Sequence, residues 1–569
     1  MAEPRNPVNT LRPNHLAGRL KQRWMRIRHH GPSQLQFWIL ALVIGIAAGF
    51  AAVAFRKGIF ALQGWLYGTD NPTLLHSFAA TLPWYWIVLI PMAGGAVVGL
   101  ILHHFTPDGR VRSVADVIEG AALSDGRVET RAGIASALAS WITLSTGGST
   151  GREGPVVHLV AVISTWVSDR IKADGITGRD LLGCAVAAAV SASFNAPIAG
   201  TLFALEVILR HFAVHAFAPI VIASVAGTVI SRLEFGDVTE FMLPGETMLA
   251  FYVELPAFLV LGLVCGIVAV VLMRAVFWAD EVGDLAMGRL RLPRYFRPML
   301  AGLLLGGIAV WFPHVIGVGY ETTSNALTGE LLLWEAVVFA ILKAVAVAIT
   351  MAGRMGGGIF SPSLMMGALT GLAFGLIATP IFPAVSGSET LYALAGMGAV
   401  AAAVLGAPIS TTLIVFELTG DWQTGLAVMV AVSLSTALAS TLVDRSFFLT
   451  QLERRDIHLA KGPQGYLLAL LKCDKFKRDL GDEGCPDLKS LKKAMGQGIW
   501  LPADATLQTA LTMFSNVPGR RDFVTILRHT PDEDQTDAME SLIVGALFHV
   551  DALTAYSEAL AETAAEEHS

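Results

Sequence analysis

The sequence predicts an all-α polytopic membrane protein that ends in a small α/β tail. Hydrophobic residues make up 54% of the 569 residues and charged residues only 15%, whereas a soluble domain carries about 25% charged residues. Several apolar stretches approach the ~20 residues that span a bilayer as a helix, and shorter ones such as 131–144 do not. We therefore expect membrane helices of uneven length. The longer apolar stretches are 36–55, 84–101, 155–168, 252–273, 297–311, 359–379 and 424–443.

Composition divides the chain into a basic segment at 1–33, an apolar body at 34–456 and a polar tail at 457–569. The first thirty residues carry seven arginines and lysines against Glu3, and they lack the apolar core of a signal peptide. The positive-inside rule predicts that this end is cytoplasmic, and a basic helix lying on anionic lipid is compatible with that. We expect an even number of crossings, with both termini in the cytoplasm.

The apolar body contains an internal repeat. The stretch "APIAGTLFALE" at Ala196–Glu206 matches "APISTTLIVFE" at Ala407–Glu417 with an offset of 211 residues. Each copy follows an alanine-rich run and, further upstream, a glycine cluster that ends in proline: "GREGP" and "GGGIFSP". Chance similarity of two alanine-rich helices is the alternative, but the order of three features is kept. Repeats of this kind in membrane proteins commonly meet at a binding site.

The two glycine clusters predict an anion site made of backbone. Irregular backbone at membrane depth is tolerated only where it is buried in protein or lines a cavity. Pro155 and Pro362 stand where the first turn of a helix tolerates proline, and an apolar helix follows each of them. Two helix N-termini would then point unpaired N–H groups and positive dipole ends into one cavity.

Glu153 is the candidate gate of this site. A carboxylate inside a membrane is costly and functional by default. Beside an anion site it can occupy the site as a tethered anion, which protonation or an arriving anion would displace. Arg152 either adds positive potential at the entrance or pairs with a neighbouring acid. In the alternative interpretation, a Glu153–Arg152 pair only fixes the loop.

The sequence argues against an enzyme. No GK[ST] follows the glycines as in a phosphate-binding P-loop. Ser145 and Ser149 have no evident basic partner of the kind a nucleophile needs, and we interpret His158 as a packed residue of an apolar helix. We expect no cofactor and no metal. The cysteines lack the spacing and the histidine partners of a metal site or a disulfide framework: Cys184, Cys265, Cys473 and Cys485.

The motifs "GREGP", "GGGIFSP" and "FNAPIAGTLFALE" resemble those of the CLC family of chloride channels and chloride/proton antiporters, in the same order over 34–456. The resemblance implies a CLC-type bundle of two inverted-topology halves and a homodimer with one anion pathway per subunit. It also implies that Glu153 is the external gate. The backbone amides implied to coordinate the anion are those of Gly154, Ile359 and Phe360.

Three departures from the family bear on mechanism. The stretch "RSVADVIEGA" puts Ser113 in place of the family's inner anion-binding serine, and we expect its neighbour Asp116 to face the cytoplasm or a basic partner. The second glutamate of the antiporters falls at Val207, which cannot carry a proton. The pore-lining tyrosine falls at Phe448, which keeps the ring and loses the hydroxyl donor.

Two further charged groups are interpreted as structural. We interpret Glu206 in this way because its repeat partner Glu417 occupies the same place in the other half. Lys343 lies inside an apolar run, where a carboxylate or a carbonyl oxygen is the expected partner.

The polar tail resembles a single degenerate CBS-type motif. The stretch "ADATLQTALTMF" followed by "SLIVGALFHVDALTAYSEAL" suggests a helix, a strand and a second helix. Residues 457–498 show no convincing second copy, so an adenosine-nucleotide site is not predicted. A helical dimerisation tail and a ligand-sensing tail are both compatible with this stretch.

The sequence therefore predicts a chloride channel for chloride and similar monovalent anions, with a gate that responds to pH and voltage. A chloride/proton antiporter is the alternative within the family, and an anion sensor that regulates the tail is the alternative outside it. We expect an integral protein of a bacterial inner membrane that contacts lipid, forms homodimers and does not bind nucleic acid.

Overall fold

The computed structural model describes residues 33–69, 71–212, 214–237, 241, 251–383, 386, 388–457, 459, 468, 471–516, 522–528 and 542–568. The basic segment at 1–32 lies outside the described residues. The division of the chain at residues 33 and 456 stays a prediction.

Helices make up the first half of the body. In chain order they are α1 (Gln34–Tyr67), α2 (Leu75–Ala79), α3 (Trp84–Phe105), α4 (Val114–Leu123), α5 (Thr130–Ser145), α6 (Glu153–Ile171), α7 (Gly175–Phe194), α8 (Pro197–Phe203), which continues as a π-helical turn (Ala204–Leu209), and α9 (Val214–Phe235).

The second half of the body is also helical. Its helices are α10 (Phe251–Leu290), α11 (Arg297–Ala309), α12 (Tyr320–Leu327), α13 (Leu333–Ala352), α14 (Phe360–Ile381), α15 (Glu389–Leu405), α16 (Pro408–Thr419), α17 (Trp422–Leu442) and α18 (Phe447–Glu453). Short 3-10 turns lie at Pro72–Leu74, Arg294–Phe296 and Pro313–Val315.

The body is a polytopic membrane bundle of helices of uneven length, as the sequence predicts. Among the described residues, seven helices are long and apolar enough to cross a membrane, while others such as α8 span seven residues. Those seven candidate spans are Gln34–Tyr67, Trp84–Phe105, Val214–Phe235, Val253–Leu290, Leu333–Ala352, Phe360–Ile381 and Trp422–Glu453.

The two halves are related structurally as well as in sequence. Helices α7 and α15 end on a left-handed residue at equivalent positions, Asn195 with φ 57° and Gly406 with φ 68°. An alanine and a helix-starting proline follow in each half. The predicted repeat is therefore a repeated helix–turn–helix unit, and the chain folds as an inverted-repeat bundle.

Small residues allow the central helices to pack closely. Gly371 of α14 faces the backbone of α15 so closely that a Cβ atom there would lie 2.0 Å from the carbonyl oxygen of Tyr392. A side chain cannot be accommodated at that distance, and small residues at helix contacts are how membrane helices approach one another.

The tail contains a small mixed sheet with helices. Its strands are β1 (Arg478–Asp479), β2 (Trp500–Pro502), β3 (Phe523–Leu527) and β4 (Ile543–Phe548), in the order β1-β4-β3-β2. Strands β2 and β3 are parallel, and the other two pairs are antiparallel. The helices are α19 (Leu488–Met495), α20 (Leu507–Asn516) and α21 (His549–His568). Helix α20, strand β4 and helix α21 follow the predicted helix–strand–helix order, and strand β3 lies between α20 and β4 in addition. This arrangement is compatible with a CBS-like tail.

Candidate anion site at the junction of the two halves

The two glycine clusters are joined directly. Gly151 and Gly358 form an isolated antiparallel bridge in which each N–H donates to the other's carbonyl oxygen at 2.7 Å. The hydroxyl of Thr150 donates to the same Gly358 oxygen at 2.8 Å. These bonds satisfy backbone groups of residues that are buried in the protein, and they hold the segments before α6 and α14 together.

Glycine is required on the second segment. Gly357 has φ 115°, a conformation that L side chains rarely adopt. A Cβ atom on Gly357 would also lie 2.1 Å from the hydroxyl oxygen of Thr150. The close approach of the two segments therefore depends on residues without side chains.

Both helix N-termini begin at this junction, as the sequence predicts. Helix α6 starts at Glu153 and α14 starts at Phe360, so Pro155 and Pro362 each fall in the third position of a first turn. First-turn N–H groups have no partner within their own helix. Gly154 lies in one first turn and Phe360 in the other. That the backbone amides of Gly154, Ile359 and Phe360 coordinate an anion stays a prediction.

Glu153 is buried between the two segments. Its side chain is 3% exposed, and both carboxylate oxygens lie 2.7 Å from the hydroxyl oxygen of Ser361. The Nε atom of Arg152 lies 3.9 Å from one of these oxygens. Ser361 is a contact that sequence reasoning missed, because a serine between phenylalanine and proline carries no periodic signal.

Arg152 makes two further contacts besides its ion pair with Glu153. It donates from Nη2 to the carbonyl oxygen of Ser193 at 3.2 Å, and its guanidinium lies over the ring of Tyr320 at 5.5 Å. Arg152 thus combines a long ion pair with a backbone anchor and a cation–π contact, and it adds positive potential beside the carboxylate.

Two cavities are lined in part by residues of the junction, one by Arg152 and the other by Gly357. The first, here called the Tyr320 cavity, has a volume of about 20 Å³ and is lined by Arg152, Tyr320 and Glu321 among others. The second, here called the Ser113 cavity, has a volume of about 340 Å³ and reaches Ser113 and Gly357. A volume near 20 Å³ holds about one water molecule, so the Tyr320 cavity is far smaller than the Ser113 cavity.

Arginines outnumber aspartates on the walls of the Ser113 cavity, four to two. Each of these arginines also forms an ion pair: Arg110 and Arg455 with Asp116, Arg354 with Asp284, and Arg454 with Glu281. The charged residues that line the cavity are Arg110, Arg354, Arg454, Arg455, Asp280 and Asp284.

Ser113 caps helix α4 together with Asp116. The backbone N–H of Ser113 donates to Asp116 Oδ2 at 2.6 Å, and its hydroxyl lies 3.3 Å from the same oxygen. Asp116 also accepts hydrogen bonds from Arg110 at 3.1 Å and Arg455 at 2.9 Å. The expectation that Asp116 has basic partners is confirmed.

Phe448 and Gln451, both on helix α18, lie in different surroundings. Phe448 is 4% exposed and belongs to the apolar core. Gln451, one turn later, lines the Ser113 cavity and has its Oε1 atom 3.3 Å from the Ser113 hydroxyl oxygen. The sequence gives no sign of this contact, because Gln451 and Ser113 are 338 residues apart.

The remaining site residues lie in the packed interior. The ring of Phe360 packs on Phe194 and Phe203, with centroids 4.8 Å and 5.7 Å away. Val207 is 5% exposed in the π-helical turn that follows α8. His158 is 1% exposed on α6.

A histidine–glutamate cluster lines the Tyr320 cavity. Glu321 accepts from the backbone N–H of His76 at 3.1 Å and from the Ser77 hydroxyl. Burial alone would raise the pKa of Glu321, but the hydrogen bonds from His76 and Ser77 outweigh burial and lower it. His314 stacks on Phe339, and burial, followed by the charge of His76, lowers the pKa of His314 to about 4.

Lys343 has the carbonyl partners that the sequence suggests. Its side chain is fully buried, and Nζ donates to the carbonyl oxygens of Gly317 at 2.8 Å and Val315 at 3.4 Å. The lysine thereby fixes the loop that leads into α12. Over the part of the chain that the structure describes, no group of three metal-ligating side chains is found.

Residues 94–440 match a family model described as voltage gated chloride channel. The chain is 31% identical over 397 residues to a ClcB-like chloride channel protein of Ralstonia nicotianae, covering 69% of this chain and 91% of that protein. It is 28% identical over 414 residues to the voltage-gated ClC-type chloride channel ClcB of Escherichia coli, covering 71% and 96%.

The fold of the chain is similar to the folds of solved structures. A slow cyanobacterial Cl⁻/H⁺ antiporter superposes with a TM-score of 0.65 at 21% identity, covering 74% of this chain and 97% of that one. A eukaryotic CLC transporter superposes with a TM-score of 0.62 at 17% identity, covering 91% and 98%. At these identities the likeness concerns the fold alone.

Proposed function

The chain belongs to the voltage-gated chloride channel (CLC) family, and from this premise we propose that it is a passive channel for chloride and similar monovalent anions. The observation that carries the proposal is the Gly151–Gly358 bridge. It brings the first turns of α6 and α14 together beside the buried carboxylate of Glu153. Helix N-termini attract anions through unpaired N–H groups and dipole ends.

Glu153 is the proposed gate. Its carboxylate competes with chloride for the site formed by the amides of Gly154, Ile359 and Phe360. An ionised Glu153 blocks the path, and a protonated one swings out. The narrow Tyr320 cavity and the wide Ser113 cavity support a path that is closed near Glu153. Because Glu153 is charged and lies within the membrane body, its movement also responds to voltage.

Ser113 and Phe448 mark the other end of the proposed path, which we assign to the cytoplasmic side. The Ser113 cavity, which is large and lined by four arginines, supports this end as the wide vestibule. Both termini are then cytoplasmic in a bacterial inner membrane, and a homodimer contains two separate paths. The apolar residues Ile198 and Ile409 are 56% and 47% exposed at equivalent repeat positions, which suits burial against lipid or a second subunit.

A proton-coupled antiporter is the alternative. The cyanobacterial protein that shares this fold is a Cl⁻/H⁺ antiporter. Val207 argues against the same activity in this chain, because a valine at the proton-acceptor position cannot take up a proton.

Ion flux from liposomes that contain the purified protein tests the proposal. We expect chloride, bromide and nitrate to pass and potassium to be rejected. Helix dipoles discriminate between ions by the sign of their charge more than by their size. Potassium flux comparable to chloride flux would refute the backbone anion site. Empty liposomes and liposomes with heat-denatured protein are the controls.

A further inference from the structure

Helix α18 offers one polar side chain to the Ser113 cavity close to Ser113 itself. Phe448 packs in the core at 4% exposure, whereas Gln451 lies along the cavity wall. The Oε1 atom of Gln451 is 3.3 Å from the hydroxyl oxygen of Ser113. The cavity is therefore lined at this point by a pair of neutral polar side chains contributed by α18 and the start of α4.

A carboxamide has the chemistry to bind a monovalent anion. Its nitrogen carries two N–H donors, and its oxygen accepts the hydrogen bond from Ser113. A neutral N–H donor stabilises an anion more weakly than a charged group does, so the ion can still leave the site. A phenylalanine side chain offers no donor at all, so Phe448 cannot take this role even if it were exposed.

The carboxylate that contacts Ser113 is paired with two arginines. Asp116 accepts hydrogen bonds from Ser113, and Arg110 and Arg455 hold its carboxylate at 3.1 Å and 2.9 Å. Gly357, in the second glycine segment, lines the same cavity. Ser113, Gln451 and the glycine segment therefore border one cavity.

We propose that Gln451 binds the permeating anion at the Ser113 end of the path and supplies the hydrogen-bond donor that Phe448 lacks. The inference rests on the proposed anion path. It adds a binding residue that determines chloride affinity and the preference among monovalent anions.

Two nearly isosteric variants test the role of Gln451. Gln451→Met removes the donor, and loss of one hydrogen bond to a charged group should raise the half-saturating chloride concentration about tenfold. It should also change the permeability ratios of bromide and nitrate to chloride. Gln451→Glu puts a negative charge at the same place and should lower chloride flux about tenfold through like-charge repulsion. Gln423→Met, in the first turn of α17, is the matched control and should match the parent.

A double variant separates anion binding from simple bracing of Ser113. If Gln451 only positions the serine, Gln451→Met has no further effect once Ser113→Ala is present. Direct binding predicts that Gln451→Met still weakens chloride binding in the Ser113→Ala background. Size-exclusion elution and thermal unfolding confirm that each variant is folded.

The outcomes distinguish the two proposals. A parent protein that passes no chloride overturns the proposed function. A parent that conducts chloride, with Gln451→Met and Gln451→Glu showing unchanged affinity, flux and permeability ratios, overturns only the role of Gln451. A Gln451→Met effect that vanishes in the Ser113→Ala background also overturns direct binding.

Discussion

Ser361 donates its hydroxyl hydrogen to the carboxylate of Glu153, and both carboxylate oxygens lie 2.7 Å from the serine oxygen. Ser361 belongs to α14 and Glu153 to α6, so this contact crosses the junction between the two halves. It fixes the proposed gate in its buried position. A hydrogen bond to an ionised carboxylate is stronger than one between neutral groups, so the contact favours the closed state.

Glu153→Gln should give a path that is more open than the parent and that has lost most of its dependence on external pH. The amide keeps the shape of the carboxylate but cannot compete with chloride as an anion. The measurement is chloride flux per folded protein across external pH. A well-folded Glu153→Gln variant that external acid still activates like the parent would show that Glu153 is not the gate.

Ser361→Ala should raise chloride flux near neutral pH about tenfold, because the closed carboxylate loses one charge-assisted hydrogen bond. Ser363→Ala is the matched control, since the Ser363 hydroxyl donates to the Ile359 carbonyl oxygen one turn earlier at 2.7 Å. We expect the Ser363 variant to conduct like the parent. Equal flux from both variants would remove Ser361 from the gating account.

The glycine clusters and their helices could be predicted from the sequence because they depend on local chemistry. Glycine permits irregular backbone, proline marks a first turn, and an apolar run indicates a helix. The bridge between Gly151 and Gly358 could not be predicted in this way, since it joins distant parts of the chain through the packing of the whole bundle.

Side-chain partners at the two ends of the path are harder to predict. Ser361 and Gln451 lie at positions where many residue types would preserve the helical pattern, so no periodicity singles them out. The anion-binding role expected of Phe448 rests on the resemblance to the CLC family. The structure places the ring of Phe448 in the core at 4% exposure. Only the three-dimensional packing of α18 on α4 distinguishes Gln451 from its neighbours.

Glu206→Gln and Glu417→Gln should each destabilise the protein by about 1–2 kcal/mol through loss of charge-assisted hydrogen bonds. Glu206 accepts from the N–H groups of Ile409 and Ser410 at 3.0 Å and 2.8 Å. Glu417 accepts in the same way from Ile198 and Ala199 at 3.0 Å and 2.7 Å. Each glutamate therefore caps the helix that carries the other, which confirms a structural role for Glu206.

Thermal unfolding in detergent measures this prediction, with the exposed Glu330→Gln as control. The double variant should lose less stability than the sum of the single losses, because both caps support the same contact between α8 and α16. Unfolding temperatures that match the parent for both single variants would contradict the capping account.

His314 should make the folded protein sensitive to acid. Burial lowers the pKa of His314 from 6.5 to about 4, so the unfolded chain takes up this proton at a higher pH than the folded chain. The stability that depends on neutral His314 is complete above about pH 6.5 and is lost as pH falls toward 4. The lowered pKa of Glu321 acts in the same direction at still lower pH.

His314→Phe keeps an aromatic ring to stack on Phe339 and removes the titrating group. The unfolding temperature of this variant should therefore fall less between pH 6.5 and pH 4 than that of the parent. The exposed His104→Phe serves as control and should retain the parent's slope. An unchanged slope in His314→Phe would mean that other groups cause the acid sensitivity.

A proton gradient should not drive chloride movement, because Val207 cannot take up a proton at the position where the family resemblance implies an acceptor in the antiporters. In liposomes with a chloride gradient, the zero-current potential should equal the chloride equilibrium potential at every imposed pH difference. Glu153→Gln is the matched control, since it carries no proton at the gate and should give the same potential as the parent. A sustained shift in the parent that is absent in Glu153→Gln would show that Glu153 delivers protons to some other acceptor. The chain would then be a coupled antiporter, and the channel proposal would be overturned while the anion site itself would stand.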